Sequence, residues 1–337
     1  NTLGANTTGA QNVAIGRNAL DANTTASYNI AVGYDSLGAN TTGNQNAAVG
    51  RDSLGANTTG VSNVALGNHA LSANTTGGNN TSVGYQSLYG NTVGLYNVAV
   101  GQGALYTNVD GSNSVAVGRL ALYTQDPASA VDMYNVAVGY SAGNAVTTGL
   151  YNTLIGGNTG DALTDADENV AVGTSALGGD TLGSKSTAIG ASALSAQNFT
   201  SATNTYNTAV GYYAGVSVTT GTHNTFIGGL AADANTTGYY NVAVGTSALG
   251  ANTTAISNTA VGYNSLAANT TAANNTAVGK DALLVNTTGT RNSALGAYAL
   301  DACTTGNYNT AIGYSAGSEL TTGTHSTFVG DYAGSAT

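Results

Sequence analysis

This sequence predicts an all-β fold, a parallel β-solenoid of about 19 coils of 17 residues. Three observations carry the prediction. A 17-residue unit repeats along all 337 residues. Each unit holds one Asn-x-Ala-Val-Gly-like motif, as in Asn29-Ile30-Ala31-Val32-Gly33, whose glycine recurs nineteen times from Gly16 to Gly330. Every step between these glycines is 17 residues except two of 21, and no 3.6-residue apolar stripe runs between them. A fixed short period describes a stack of near-identical turns, not a globule around one active site.

Numbering the unit from the motif Asn, positions 1 to 4 are short and β-prone. Position 1 is Asn, or Ser at Ser114, Ser186 and Ser326; position 4 is always Val, Ile or Leu. The glycine at position 5 ends the strand in a conformation that a Cβ would obstruct. Positions 8 to 11, typified by Ala19-Leu20 and Ser53-Leu54, are expected to form a second short strand. Asn-Thr-Thr-Gly at positions 12 to 15, as at Asn6-Thr7-Thr8-Gly9, supplies the return turn. Strands of successive coils about 4.8 Å apart would give a rod of roughly 90 Å. The position-1 asparagines are placed to bond amide to amide along it.

Substitutions show which positions share the interior. Leu at position 9 gives way to Gly143, Gly215 and Gly317. In each case the next unit enlarges position 3, to Leu154, Phe226 and Phe328, and carries Gly160, Ala232 or Gly334 at its own position 9. Three occurrences of one volume exchange put positions 3 and 9 in one core. Alternation then sends positions 2 and 4 to the other face, although position 4 is apolar throughout. Either another copy of the chain covers that face, which is the expectation favoured here, or the coil bends enough to turn both rows inward.

Composition narrows the function. Charged residues are 7% of the chain, there are six Lys and Arg, and the net charge is −10. No basic stripe exists to neutralise phosphates, so neither nucleic acid nor an anionic membrane is an expected partner. The 42% of hydrophobic residues fall at fixed register, unlike those of a disordered chain. One proline suits a backbone whose N–H groups nearly all pair. Cys303, the single cysteine, stands at an Asn position and forms no internal disulfide. No apolar run spans a bilayer and no signal peptide is visible. The whole of 1–337 reads as one solenoid segment of a longer chain.

No constellation for catalysis stands out, so an enzyme is not expected, and no metal or cofactor is implied. His69, His223 and His325 are too far apart to act together. Asp161, Asp165, Asp167 and Glu168 form the densest acidic stretch, but their spacing fits no calcium loop and suits a solvated turn. Asn6, Asn23, Asn40, Asn57, Asn74, Asn235, Asn252, Asn269 and Asn286 each open an Asn-Thr-Thr sequence, formally a glycosylation acceptor, with turn chemistry as the plainer reading. The same threonines would form arrays suited to ice binding. The arrays break at Asn91-Thr92-Val93, Asn108-Val109-Asp110 and Asp180-Thr181-Leu182, which disfavours it.

Many of the 20 Tyr residues flank the strand at coil corners, Tyr28 and Tyr240 before it and Tyr34 and Tyr263 after the glycine. There they would stack on sugars, contact partners or cap the ladders. Two four-residue insertions, within 125–134 and 197–206, are the first place to look for specific contacts. The alternative is that they only relieve core mismatch near Gly143 and Gly215.

The run Asn-Val-Ala-Val-Gly-x-x-Ala-Leu-x-Ala, intact from Asn241 to Ala251, resembles the head repeat of trimeric autotransporter adhesins. Similar repeats occur in tail-fibre-like proteins of phages and bacteria. The resemblance covers essentially the whole chain in register. It implies a left-handed parallel β-roll, three chains side by side, on a bacterial surface. The adhesin unit usually has 14 residues and this one 17, so trimerisation and handedness come over as implications only. No ligand-binding residue of that family has a match here.

The expectation is therefore a structural, adhesive repeat segment of an extracellular fibre or cell-surface adhesin, self-associating, with a surface protein or glycan as ligand. A virion tail fibre is the alternative, and an ice-binding protein a more distant one. Flanking sequence would separate the first two: a C-terminal barrel anchor for the autotransporter, a self-cleaving chaperone domain for the tail fibre.

Overall fold

The computed structural model describes residues 2–335. It is an all-β parallel solenoid of about 19 coils, with no helix among the described residues. The coils group into two compact units, Asn1–Asn169 and Val170–Thr337. The first contains nine three-residue strands, from Val13–Ile15 to Thr153–Ile155. The second contains ten, from Val170–Val172 to Thr327–Val329, and a small extra pairing of Gly183–Ser184 with Thr203–Asn204.

Within each unit, strands pair parallel and in register one repeat apart. Ala31 lies opposite Ala48 and Ala243 opposite Ala260. The register survives the 21-residue steps, where Ala116 meets Ala137 and Ala188 meets Ala209. The position-5 glycines have φ of 125–142°. A Cβ on Gly50 would also come within 2.6 Å of the Gly67 carbonyl carbon in the next coil. Backbone conformation and close stacking thus both demand glycine.

Positions 8 to 11 are not a second strand. They fold as turns, with residues 7 and 9 of the unit left-handed: Asp35 and Leu37 both have φ of 50°. Coil-to-coil pairing nevertheless continues there, Leu37 N–H donating to Ser53 O at 3.0 Å and Ala39 N–H to Gly55 O at 3.1 Å. The short cross-section needs sharp corners, and left-handed residues supply them. A third falls at position 17, as at Tyr28 (φ 63°) and Tyr240 (φ 57°). The Asn-Thr-Thr-Gly segment, by contrast, contains no left-handed residue.

The interior is lined by Ala at position 3, Ala or Ser at 8, Leu at 9 and Asn at 1 and 12, nearly all fully buried. The volume exchange is visible directly. A Cβ on Gly143 would lie 2.7 Å from Leu154 Cδ1, and one on Gly215 would lie 2.8 Å from Phe226 Cδ2. Gly317 stands in the same relation to Phe328, at 2.8 Å. The enlarged side chain therefore occupies the volume that leucine vacates in the preceding coil.

Two polar ladders close the core, and their roles differ from the sequence expectation. Position-1 asparagines bond side chain to backbone, Asn46 N–H donating to Asn29 Oδ1 at 2.9 Å. Asn46 Nδ2 reaches instead to Gly60 O at 2.8 Å, tying the strand to its own return turn. The amide-to-amide ladder runs at position 12: Asn57 Nδ2 donates to Asn40 Oδ1 at 2.8 Å and Asn74 Nδ2 to Asn57 Oδ1 at 2.7 Å. Each also donates to the carbonyl three residues on, which holds the turn. Buried amides satisfied in this way cost little, whereas unpaired ones would be expensive.

Candidate functional site

Positions 2 and 4 point outward in both units, so the coil does not bend to bury both rows. Ile30, Leu66, Ile155, Ile227, Leu295 and Ile312 are exposed, Leu66 by 48% and Leu295 by 51%. Position 4 is a continuous row of branched apolar side chains in each unit, whereas position 2 mixes Val with Thr. Such an apolar row on a sheet face is a surface that water does not favour.

Each insertion is anchored by a buried glutamine in place of the position-12 asparagine. Gln125 Nε2 donates to Asn108 Oδ1 and Ser114 Oγ, at 3.1 and 3.0 Å, while Asn135 Nδ2 donates to Gln125 Oε1 at 3.0 Å. Gln197 repeats the pattern with Asp180, Ser186 and Asn207. The longer side chain crosses the interior to the position-1 ladder, and the short Ser114 or Ser186 leaves it room. Met133 and Phe199 plug the widened coils. The tips, 128–132 and 200–202, are exposed.

The aromatic corners form columns. At position 17, Tyr134 stacks on Tyr151 at 5.4 Å, and His223 sits between Tyr206 and Tyr240, at 5.2 and 5.0 Å. His325 stacks on Tyr308 at 4.8 Å. A separate column at position 10 joins Tyr89, Tyr106 and Tyr123, with rings 5.2 and 5.0 Å apart and within 8° of parallel. Burial, then its two stacked neighbours, raises the Tyr106 phenol above its ordinary pKa.

Beside that column, in the first unit, lies a trough of about 460 Å³ lined by Asp35, Asp52, Gly55, Ala56, His69, Ser72 and Tyr89. Asp52 accepts from Arg51 Nε at 3.0 Å and lies 3.6 Å from His69 Nδ1. His69 stands edge-on to Tyr89, 6.4 Å between centroids. The sequence reading passed over this site because its residues come from four coils. The available signal was Tyr at the same position in three successive units, Tyr89, Tyr106 and Tyr123.

The other candidates are dispersed. His69 lies in the trough, and His223 and His325 in tyrosine columns of other coils. In the acidic stretch, Asp165 Oδ1 accepts from Thr148 Oγ1 at 2.5 Å and Asp167 Oδ1 from Leu150 N–H at 2.8 Å, both across coils. Burial raises the Asp161 carboxyl. Among the described residues, no group of three or more His, Cys, Asp or Glu is placed to hold a metal ion. Cys303 is buried in the position-12 row, its Sγ 3.9 Å from Gly306 O, and burial raises its thiol pKa.

Of the Asn-Thr-Thr asparagines, Asn23, Asn40, Asn57, Asn74, Asn235, Asn252, Asn269 and Asn286 are fully buried in the ladder. Asn6 alone is exposed. A glycan on any of the eight would require that rung to be broken. The first threonine of the motif also commits its hydroxyl inward, Thr41 Oγ1 donating to Thr58 O at 3.0 Å. Only the second threonine, as at Thr25 and Thr42, faces outward.

No family model, curated protein or solved structure matches the chain.

Proposed function

We propose that this chain is a non-enzymatic structural and adhesive segment of an extracellular fibre or cell-surface adhesin, self-associating through the outer face of its strands. One observation carries this reading: the position-4 row, Val, Ile or Leu in every unit, lies on the outward face with no described part of the chain over it, while the interior positions 3, 8 and 9 are filled. A further copy offers the same row at the same 17-residue rise, so matched strands bury each other along their length. Three chains, each turning this face inward, is the arrangement favoured here. Low charge and stacked coils suit an element that extends a tip or presents its own flank.

Sedimentation of the purified chain tests the association. The parent sediments at three times the single-chain mass, and Leu295→Lys with Ile312→Lys on the exposed row returns it to one. A parent that sediments as a single chain at micromolar concentration removes the proposal of self-association. Retention of cells on the immobilised chain tests the adhesive part.

A further inference from the structure

We propose that the trough beside Tyr89 binds a neutral pyranose saccharide, with the unstacked face of Tyr89 as its platform and His69 at its rim. The inference rests on the adhesive reading and gives it a ligand class.

The argument begins with the tyrosine column. Tyr89, Tyr106 and Tyr123 occupy one position of the unit in successive coils, and their rings are nearly parallel. Tyr106 has both faces covered. Tyr89 has one face against Tyr106. Its other face looks back along the row, with His69 of the preceding coil edge-on to the ring, 6.4 Å between centroids. The same position in the preceding coils holds Ser72, Gly55 and Gly38, too small to meet the ring. The column therefore ends on an aromatic face without a stacked ring, flanked by His69 and set above a low floor, Gly55 and Ala56 with Ser72 beside the ring. At the other end, beyond Tyr123, the row continues with Asn144, whose Nδ2 donates to Leu120 O at 3.2 Å, and Tyr123 is not among the residues that line the trough.

The walls supply the polar half of the site. Asp35, Asp52 and His69 occupy position 7 of three successive coils, all left-handed, which turns them along one edge of the trough. Asp52 is held by Arg51 and lies within reach of His69. Two carboxylates accept hydrogen bonds from vicinal hydroxyls, and the imidazole donates or accepts. The C–H face of a pyranose is weakly positive and seats against the negative face of a tyrosine ring. The volume falls in the range of small-molecule sites, ~300–1,000 Å³. Two carboxylates in a chain of net charge −10 oppose a sialic or uronic acid.

Saturation-transfer NMR on the full chain, with lactose, cellobiose and sialyllactose as probes, tests the proposal. A neutral disaccharide receives saturation, with Kd on the order of 1 mM, and sialyllactose does not. Tyr89→Ala weakens binding at least ~10-fold, while Tyr123→Ala, two coils away from the trough, leaves it unchanged. Ser72→Tyr extends the column by one ring, as the chain itself does in the next three coils. It keeps the fold and abolishes binding by filling the trough. Overturning results are no transfer to either neutral disaccharide, equal transfer to sialyllactose, or unchanged binding in Ser72→Tyr. Cell retention that persists in Ser72→Tyr without saccharide binding by the parent overturns the trough and leaves the adhesive reading standing. Saccharide binding without cell retention supports the trough and removes the adhesive reading.

Discussion

The coils across 235–300 and those across 180–232 belong to one unit and share one strand register, yet their interiors are made from different residues. In the first run, Asn235, Asn252, Asn269 and Asn286 form the position-12 ladder and Leu249, Leu266, Leu283 and Leu300 fill position 9. In the second, position 12 holds Asp180, Gln197 and Val218, and position 9 passes from Leu194 through Gly215 to Ala232. Strand pairing is unchanged, Thr208 opposite Thr225 as Thr259 is opposite Thr276. The stack therefore conserves filled volume and a largely satisfied amide ladder, broken at Asn286 Oδ1 where Cys303 follows, rather than particular side chains. Position 5 is the exception, since only glycine meets its backbone demand.

Transplanting one run into the other is the strongest way to break this comparison. Leu249→Gly empties a fully buried site, and the loss is ~3 kcal/mol after relief of the left-handed strain at φ 54°. The natural glycine coils also carry an apolar residue at position 12: Val146, Val218 and Leu320. Adding Ala260→Phe, Leu266→Ala and Asn252→Val reproduces the Gly215 arrangement and recovers at least half the loss. Amide exchange of the strand Val242–Val244 and its neighbours measures both, because disturbance in a stacked array stays local. If the fourfold variant opens as readily as the single one, the volume exchange is not what links these positions.

A smaller effect sharpens the polar side of the comparison. Gln197 donates to Asp180 Oδ2 at 2.6 Å and to Ser186 Oγ at 2.9 Å, and accepts from Asn207 at 2.8 Å. Gln197→Met keeps the volume and strands these buried partners, at a cost of ~2 kcal/mol. Asp180 retains the amides of Gly183 and Phe199, each at 3.1 Å, which limits the damage. The strand Thr208–Val210 should lose exchange protection while Thr259–Val261 keeps it. Equal protection in parent and variant would show that the glutamine merely fills space.

The sequence made the period, the parallel register, the glycine and the shared interior of positions 3 and 9 legible, because each leaves a mark at 17-residue spacing. The second strand at positions 8 to 11 was misread, since Ala-Leu suits a strand as well as a tight corner. The discriminating sign was there: positions 7, 9 and 17 never carry Val, Ile or Thr in a chain rich in all three. β-Branched residues avoid left-handed backbone, so three positions without them mark three corners. The glutamine bridges were also written in sequence, as Ser114 with Gln125 and Ser186 with Gln197, eleven residues apart in both cases. The trough was the hardest to see, because its residues meet only after four coils are stacked.

The smallest predicted effect concerns position 10, which holds Gly at Gly250 but Asp at Asp233 and Asp301. Burial raises the Asp301 carboxyl, and nearby Asp281 adds to this; the amides of Asp301 and Ala302 pull the other way without cancelling it. One oxygen, Oδ1, is buried without a hydrogen-bond partner. Asp233 is raised for the same first reason. A carboxyl with a raised folded pKa holds its proton where the unfolded chain has released it. Its contribution to stability is complete below the ordinary carboxylate pKa, about 3.9, and is lost as pH rises through the raised value. Asp301→Asn imitates the protonated form. The variant should match the parent at pH 3 and exceed it at pH 7 by no more than ~0.5 kcal/mol, the range for half-exposed substitutions. Thermal unfolding of both chains across that interval gives the sign. A parent gaining on the variant as pH rises would mean the carboxylate is satisfied at this corner, with the polar ladder extending to position 10.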